Sequence, residues 1–229
     1  MPDTEMPVSE TTDARTRTLS EPESKALLAT YDVPCVPDAL VDTAVDAAVA
    51  AVKFGFPVVV KLAGDGIAHK TERGLVRLAL ADEAAVIAAG TALLAAATPA
   101  DGEVRLLVAP MLRATRELIA GVHDDPQFGR CVMVGIGGVL TEALGDVAFR
   151  LAPLRPIDAD EMLDDLTSQA LLGEVRGEPA LDRAAMAQVL LALSRLAVER
   201  VDVRSVDVNP LLVVDGIPIA VDALVEVTA

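Results

Sequence analysis

The chain has 229 residues, 52% hydrophobic and 2% aromatic, with 35 acidic against 19 basic side chains and a net charge of −16. That acidity excludes a general grip on a nucleic-acid backbone, which needs a basic surface. It leaves room for a nucleotide, whose phosphates need only a few placed cations, backbone N–H groups and Mg²⁺.

The polar segment 1–18 lacks the apolar core of a secretory signal and is expected to be a flexible tail. Ser20 and Glu23 have capping-box spacing and start a helix that runs to Tyr31. Two prolines in "DVPCVPDA" forbid helix beyond it. Asp42 is placed to cap a second helix over "TAVDAAVAAVKF", which Gly55 ends. "FPVVVKLA" is a short apolar run rich in β-branched residues, read as a buried strand that delivers Lys61 at its C-terminal end. "GLVRLAL" alternates as a half-buried strand, and "DEAAVIAAGTALLAAAT" is helical. The uncharged run 84–100 falls within this region and is shorter than a membrane span, so a cytoplasmic protein with no membrane contact is expected.

Three more strands follow in "VRLLVAPML", "RELIAGVHDD" and "RCVMVGIGG", the last two joined through the turn "DDPQFG". "DVAFRLAPL" is strand-like, and "DADEMLDDL" and "LDRAAMAQVLLALSRLAVER" are helical. The C-terminal "SVDVNPLLVVDGIPIAVDALVEV" reads as a hairpin about Asp215-Gly216. Cys35 and Cys131 have no partner spacing and are expected to be reduced thiols in apolar surroundings.

Three stretches carry chemistry. In "VVVKLAGDGIAHKTERG", Lys61 can reach a phosphate from the end of a buried strand. His69 is able to accept a phosphoryl group or move a proton, and Lys70 stands beside it. A snorkelling lysine and a backbone-bonded loop histidine are the plainer readings of each residue alone. In "VGIGGVLTEALGD", Gly135, Gly137 and Gly138 follow an apolar strand and would let backbone N–H groups approach an anion, although neither the P-loop nor the dinucleotide pattern is present. In "SVDVNPLLVVDGIPIAVDA", Asp207 and Asn209 face the same side of one strand, and the hairpin return can bring Asp222 near Asn209. Such oxygen ligands suit Mg²⁺. An ordinary polar hairpin face is the alternative.

In order and spacing, these stretches, with "RELIAG" and "DVAFRLAPL", resemble the ATP-grasp (β) subunit of the nucleoside-diphosphate-forming acyl-CoA synthetases, such as ADP-forming acetyl-CoA synthetase, and more distantly the succinyl-CoA synthetase β subunit. The resemblance covers residues 19–226. It implies an α+β, ATP-grasp fold of two lobes with the nucleotide between them: a smaller lobe at about 40–112 and a larger one from 19–39 plus 113–229. By the same resemblance Lys61 contacts the phosphates of ATP or ADP, His69 relays a phosphoryl group and Lys70 supports its charge. Glu117 belongs to the nucleotide site, Gly135, Gly137 and Gly138 cradle the phosphate, and Asn209, Asp222 and Asp207 hold Mg²⁺. The family's CoA-binding α subunit, which would handle the organic acid and CoA in a hetero-oligomer, is the implied partner.

The chain departs from the family pattern at Gly64-Asp65-Gly66 and Leu75, on either side of His69, and at Ala109-Pro110, where the adenine would lie. Two other functions remain open at the level of sequence: a non-catalytic ATP-sensing or scaffold subunit of a CoA-dependent complex, and a ligase that makes an acyl-phosphate directly, without a phosphohistidine.

Overall fold

A computed structural model describes residues 16–64, 67, 73–138 and 145–228. Two antiparallel sheets organise them. The first, four-stranded and ordered β2-β5-β3-β4, contains β2 (Ala39–Val41), β3 (Val58–Gly64), β4 (Val76–Leu80) and β5 (Val104–Pro110). Helices α2 (Ala44–Phe54) and α3 (Glu83–Ala95) cover one of its faces. Ala47, Ala51, Val86 and Leu93 meet Val58, Val60, Leu62, Leu106 and Val108 in a single core. The small alanines suit this packing, since they bring helix and sheet close at little cost in side-chain entropy.

The second sheet has seven strands: β1 (Thr16–Thr18), β11 (Ala223–Thr228), β9 (Val203–Val214), β6 (Glu117–Asp125), β7 (Gly129–Ile136) and β8 (Val147–Leu151) in that order, with β10 (Ile217–Ala220) pairing the far half of β9. Against one face lie α1 (Glu21–Ala29), α4 (Pro156–Asp164) and α5 (Arg183–Glu199), and Leu28, Met162, Leu163, Met186, Leu190 and Leu193 fill the larger core. Because strand side chains alternate, burying Leu118, Ala120, Val122, Val206 and Val208 in that core turns Glu117, Ile119, Gly121, Asp207 and Asn209 to the opposite face.

Several expectations shift. Thr16–Thr18 lies in the segment read as tail, yet it pairs with Glu226–Thr228 of β11, because the last strand leaves an edge that an extended polar segment can satisfy. Thr43, not Asp42, caps α2, accepting from the Asp46 backbone at 3.1 Å, while Asp42 pairs with Arg105. The C-terminal hairpin is a three-strand unit: the Asp215-Gly216 turn joins β9 to β10, and a second turn at Val221–Asp222 sends β11 back along the other half of β9. Cys35 and Cys131 are free thiols but only half-buried. Among the described residues no helix is long and apolar enough to cross a membrane.

Candidate functional site

Lys61 lies in the middle of β3, not at its end. Leu62, Ala63 and Gly64 continue the ladder to β5, where Gly64 faces Val104. A Cβ on Gly64 would stand 3.0 Å from the carbonyl oxygens of both Asp101 and Glu103, so glycine lets the strand run on past Lys61. Alternation then settles its direction: Val58, Val60 and Leu62 point into the small core, whereas Val59, Lys61 and Ala63 point away from the helices and are still buried. What covers them is the larger sheet's side of the molecule.

There the Lys61 ammonium donates to Glu21 Oε1 at 2.7 Å and to Asp222 Oδ2 at 3.0 Å. Burial disfavours the charged amine, but Glu21 and then Asp222 outweigh that and hold Lys61 above the ordinary lysine value. Glu21, in the first turn of α1, is also 3.3 Å from Lys25, which pairs with Asp38 just ahead of β2. Removing one partner of a buried ion pair, which leaves the other charge unpaired, costs about 3–5 kcal/mol; Glu21, Lys25 and Lys61 are the buried members of this network, which links α1, the small sheet and the β10–β11 turn. Neither Glu21 nor Lys25 stood out in the sequence beyond helix-start chemistry. The signal available was their spacing of four on one helix face, which reads equally well as a solvated pair.

Asp222 connects this tie to the oxygen-rich strand. The Asn209 backbone N–H donates to the Asp222 backbone carbonyl at 3.3 Å, and Asp207 and Asn209 lie on the same face of β9. Asp207 is solvent-exposed but crowded by surrounding protein; that crowding, followed by the charge of Asp222, raises its carboxyl above the usual carboxylate value. A carboxyl disfavoured from ionising by surrounding protein and by a neighbouring carboxylate is one that a hard divalent cation would relieve, so Asp207, Asn209 and Asp222 have the chemistry of oxygen ligands for Mg²⁺. Among the described residues no group of three His, Cys, Asp or Glu side chains forms a metal cage.

The glycine block sits on the same face two strands across. Gly135 pairs with Ile119 of β6, and the Gly137 amide donates to the Glu117 carbonyl at 2.8 Å. A Cβ on Gly137 would come within 3.1 Å of Glu117, and Gly138, at φ +87°, holds a backbone that favours glycine, where a Cβ would stand 3.7 Å from Glu117 Oε2. Glu117 and Gly137–Gly138 are therefore brought together. Gly135 has a packing reason of its own, since its Cβ would meet Val147 at 2.6 Å and Ile119 at 3.2 Å. His69 and Lys70 lie outside the described residues. Arg73 grips Asp101 through two hydrogen bonds of 2.7 and 3.0 Å, and the carbonyl of that same Asp101 abuts Gly64.

Lys61 of the small sheet meets Glu21 and Asp222 from the larger sheet's unit, and Asp222 borders the strand that carries Asn209 and Asp207; a cation and oxygen groups drawn together from two antiparallel sheets suit a nucleotide-binding class. The chain belongs to the ATP-grasp family: residues 10–227 match the ATP-grasp domain. Within that family it stands with the β subunits of ADP-forming acyl-CoA synthetases. It is 34% identical over 220 residues to the β subunit of ADP-forming acetate–CoA ligase I from Pyrococcus furiosus, covering 94% of both chains. It is also 34% identical to the ADP-forming 4-hydroxybutyrate–CoA ligase of Nitrosopumilus maritimus, matching 86% of this chain but spanning only 29% of that longer protein. In structure it resembles the acetyl-coenzyme A synthetase 1 of Ca. Korarchaeum cryptofilum in complex with coenzyme A and Ca-AMPCP, with a TM-score of 0.86, 31% identity and coverage of 92% and 93%. A second form of that enzyme, with Mg-AMPPCP and a phosphohistidine segment pointing towards the nucleotide-binding site, superposes with a TM-score of 0.79 at 31% identity, again covering 92% and 93%.

Proposed function

We propose that this chain is the ATP-binding subunit of an ADP-forming acyl-CoA synthetase, carrying a phosphoryl group between ATP or ADP and a CoA-binding α-type partner in the cytoplasm. The observation that carries the reading is Lys61, a buried cation of the small sheet in a strongly acidic chain, which meets Asp222 at the end of the strand pair that carries Asn209 and Asp207. A lysine placed beside such an oxygen-rich turn in an acidic protein is a local exception suited to phosphate.

In this reading the two sheets belong to two lobes, residues 40–112 and the remainder after residue 18, and the triphosphate lies between them. Lys61 binds and orients the phosphates. Asp207, Asn209 and Asp222 would hold Mg²⁺, which when bound supplies screening of the phosphate charge during transfer. Glu117 and the Gly137–Gly138 backbone close the nucleotide site on the side of the larger sheet.

The chemistry falls to His69. A lone pair on its neutral imidazole attacks the γ-phosphorus, a P–N bond forms as the bond to the β–γ bridging oxygen breaks, and ADP leaves with that electron pair. Lys70 offsets charge on the transferred group. The partner then collects the phosphoryl group to form an acyl-phosphate, from which CoA displaces phosphate to give the thioester. Full turnover therefore requires the partner, and the small acid and CoA bind on it.

The test is reconstitution. The purified chain should bind Mg·ATP but make no acyl-CoA, and CoA-dependent ADP release should appear when an α-type subunit is added. Robust acyl-CoA synthesis by the chain alone would overturn the subunit reading.

A further inference from the structure

The two acids that hold Lys61 differ in kind. Glu21 has a side chain only 1% exposed, and its Oε1 is shared by Lys61 and Lys25, whereas the Asp222 side chain is 34% exposed and borders the oxygen cluster. Lys25 is in turn anchored on Asp38, at the crossing into the small sheet, so Glu21 cannot shift without disturbing the tie between α1 and β2. Asp222 sits in the two-residue turn between β10 and β11, on the open side.

We propose that Glu21 is the positioning residue for Lys61 in the nucleotide site, the fixed partner that sets where Nζ stands, while Asp222 is the exchangeable partner that yields Lys61 to the incoming phosphates. This rests on the nucleotide-site reading above. An ammonium offers three donors on a flexible four-carbon stem, so it can keep one acid while redirecting another toward a ligand. Freezing a rotamer-rich side chain only at the moment of binding costs affinity; a lysine already frozen by a buried carboxylate avoids that cost. Asp222 meets the opposite requirement, since as it turns toward a cation it must release a lysine, and the phosphates supply the replacement acceptor.

A purely structural tie makes a different prediction: loss of Glu21 would lower stability but leave the affinity of the folded chain unchanged, whether or not Lys61 were present. The experiment is calorimetric titration of the full-length chain with Mg·ATP for wild type, Glu21→Gln, Glu21→Asp, Lys61→Met and Glu21→Gln with Lys61→Met, each below its melting temperature. Positioning predicts that Glu21→Gln weakens binding about tenfold or more, the scale of losing a hydrogen bond between charged groups. Glu21→Asp, which keeps the charge but withdraws it by one methylene, weakens binding as well. In the Lys61→Met background the Glu21 change adds nothing, because the group it positions is gone. Wild-type affinity in both Glu21 variants, or the same loss with and without Lys61, would overturn the proposal. If Glu21→Gln does not fold, Glu21→Asp alone and combined with Lys61→Met decides in the same way. Should wild type fail to bind Mg·ATP, or Lys61→Met bind like wild type, the nucleotide-site reading itself falls and takes this proposal with it.

Discussion

At the scale of single residues, the site separates side chains that hold the fold from those that face the ligand. Asp207, Asn209 and Asp222 stand close enough for the Asp222 charge to show in Asp207, and Asp222 also accepts a hydrogen bond from Lys61. Asn209→Ala and Asp222→Ala should each weaken Mg·ATP binding about tenfold or more, as expected for losing one oxygen contact to a charged ligand. Raising Mg²⁺ should partly rescue Asn209→Ala, since water can replace a lost amide oxygen. Titrations at several Mg²⁺ concentrations check this; identical metal dependence in both variants and wild type would reduce the trio to a polar strand face. Asp101 is of the other kind. Its two hydrogen bonds from Arg73, then one from the Thr98 amide, hold its carboxyl far below the ordinary carboxylate range. A depressed acid contributes stability above its unfolded value and loses it as pH falls through the folded value. The stability gap between wild type and Asp101→Asn should thus be constant from neutral pH to about pH 4, near the unfolded carboxylate value, and shrink below it. Denaturant titrations across that range measure the gap.

At the scale of elements, close approach between strands sets limits that pattern alone does not reveal. A Cβ on Gly121 of β6 would stand 2.4 Å from the Val206 carbonyl of β9, a backbone atom that cannot swing away. Gly121→Ala should destabilise the chain by roughly 1–3 kcal/mol or more, the range for overpacking, and a shifted urea midpoint is the readout. Most elements were legible because alternation and helix caps are local: the capping box at Ser20 and Glu23 is in place, and the strands from "VRLLVAPML" through "RCVMVGIGG" form where the β-branched runs stand. What was not legible depended on partners far along the chain. The end of β3 is set by β5, so Lys61 looked terminal when it is central. Thr16–Thr18 takes its strand from β11, some two hundred residues away. The burial of Glu21 and Lys25 depends on Lys61 and Asp38 meeting them, which helix spacing cannot state. The nearness of Asn209 to Asp222, by contrast, followed from hairpin geometry and was expected, although a second turn produces it.

At the scale of the whole molecule, two sheets each bury one face under helices; the other face of the small sheet buries Val59, Lys61 and Ala63, that of the larger sheet leaves Asp207, Asn209 and Phe149 exposed, and charge pairs join the two at α1, β3 and the β10–β11 turn. Such a seam suits a nucleotide, because one sheet can bring the lysine and the other the cation ligands to the same phosphates. In the proposed reaction a phosphoryl group from ATP placed there passes to His69. The most direct measurement is to incubate the full-length chain with Mg²⁺ and γ-labelled ATP, remove the nucleotide, and follow protein-bound label in acid and in base. A phosphohistidine at position 69 gives label that is lost in acid, survives base and is absent from His69→Ala, while that variant still binds ATP with near wild-type affinity. Acid-stable label, or undiminished label in His69→Ala, would contradict this transfer.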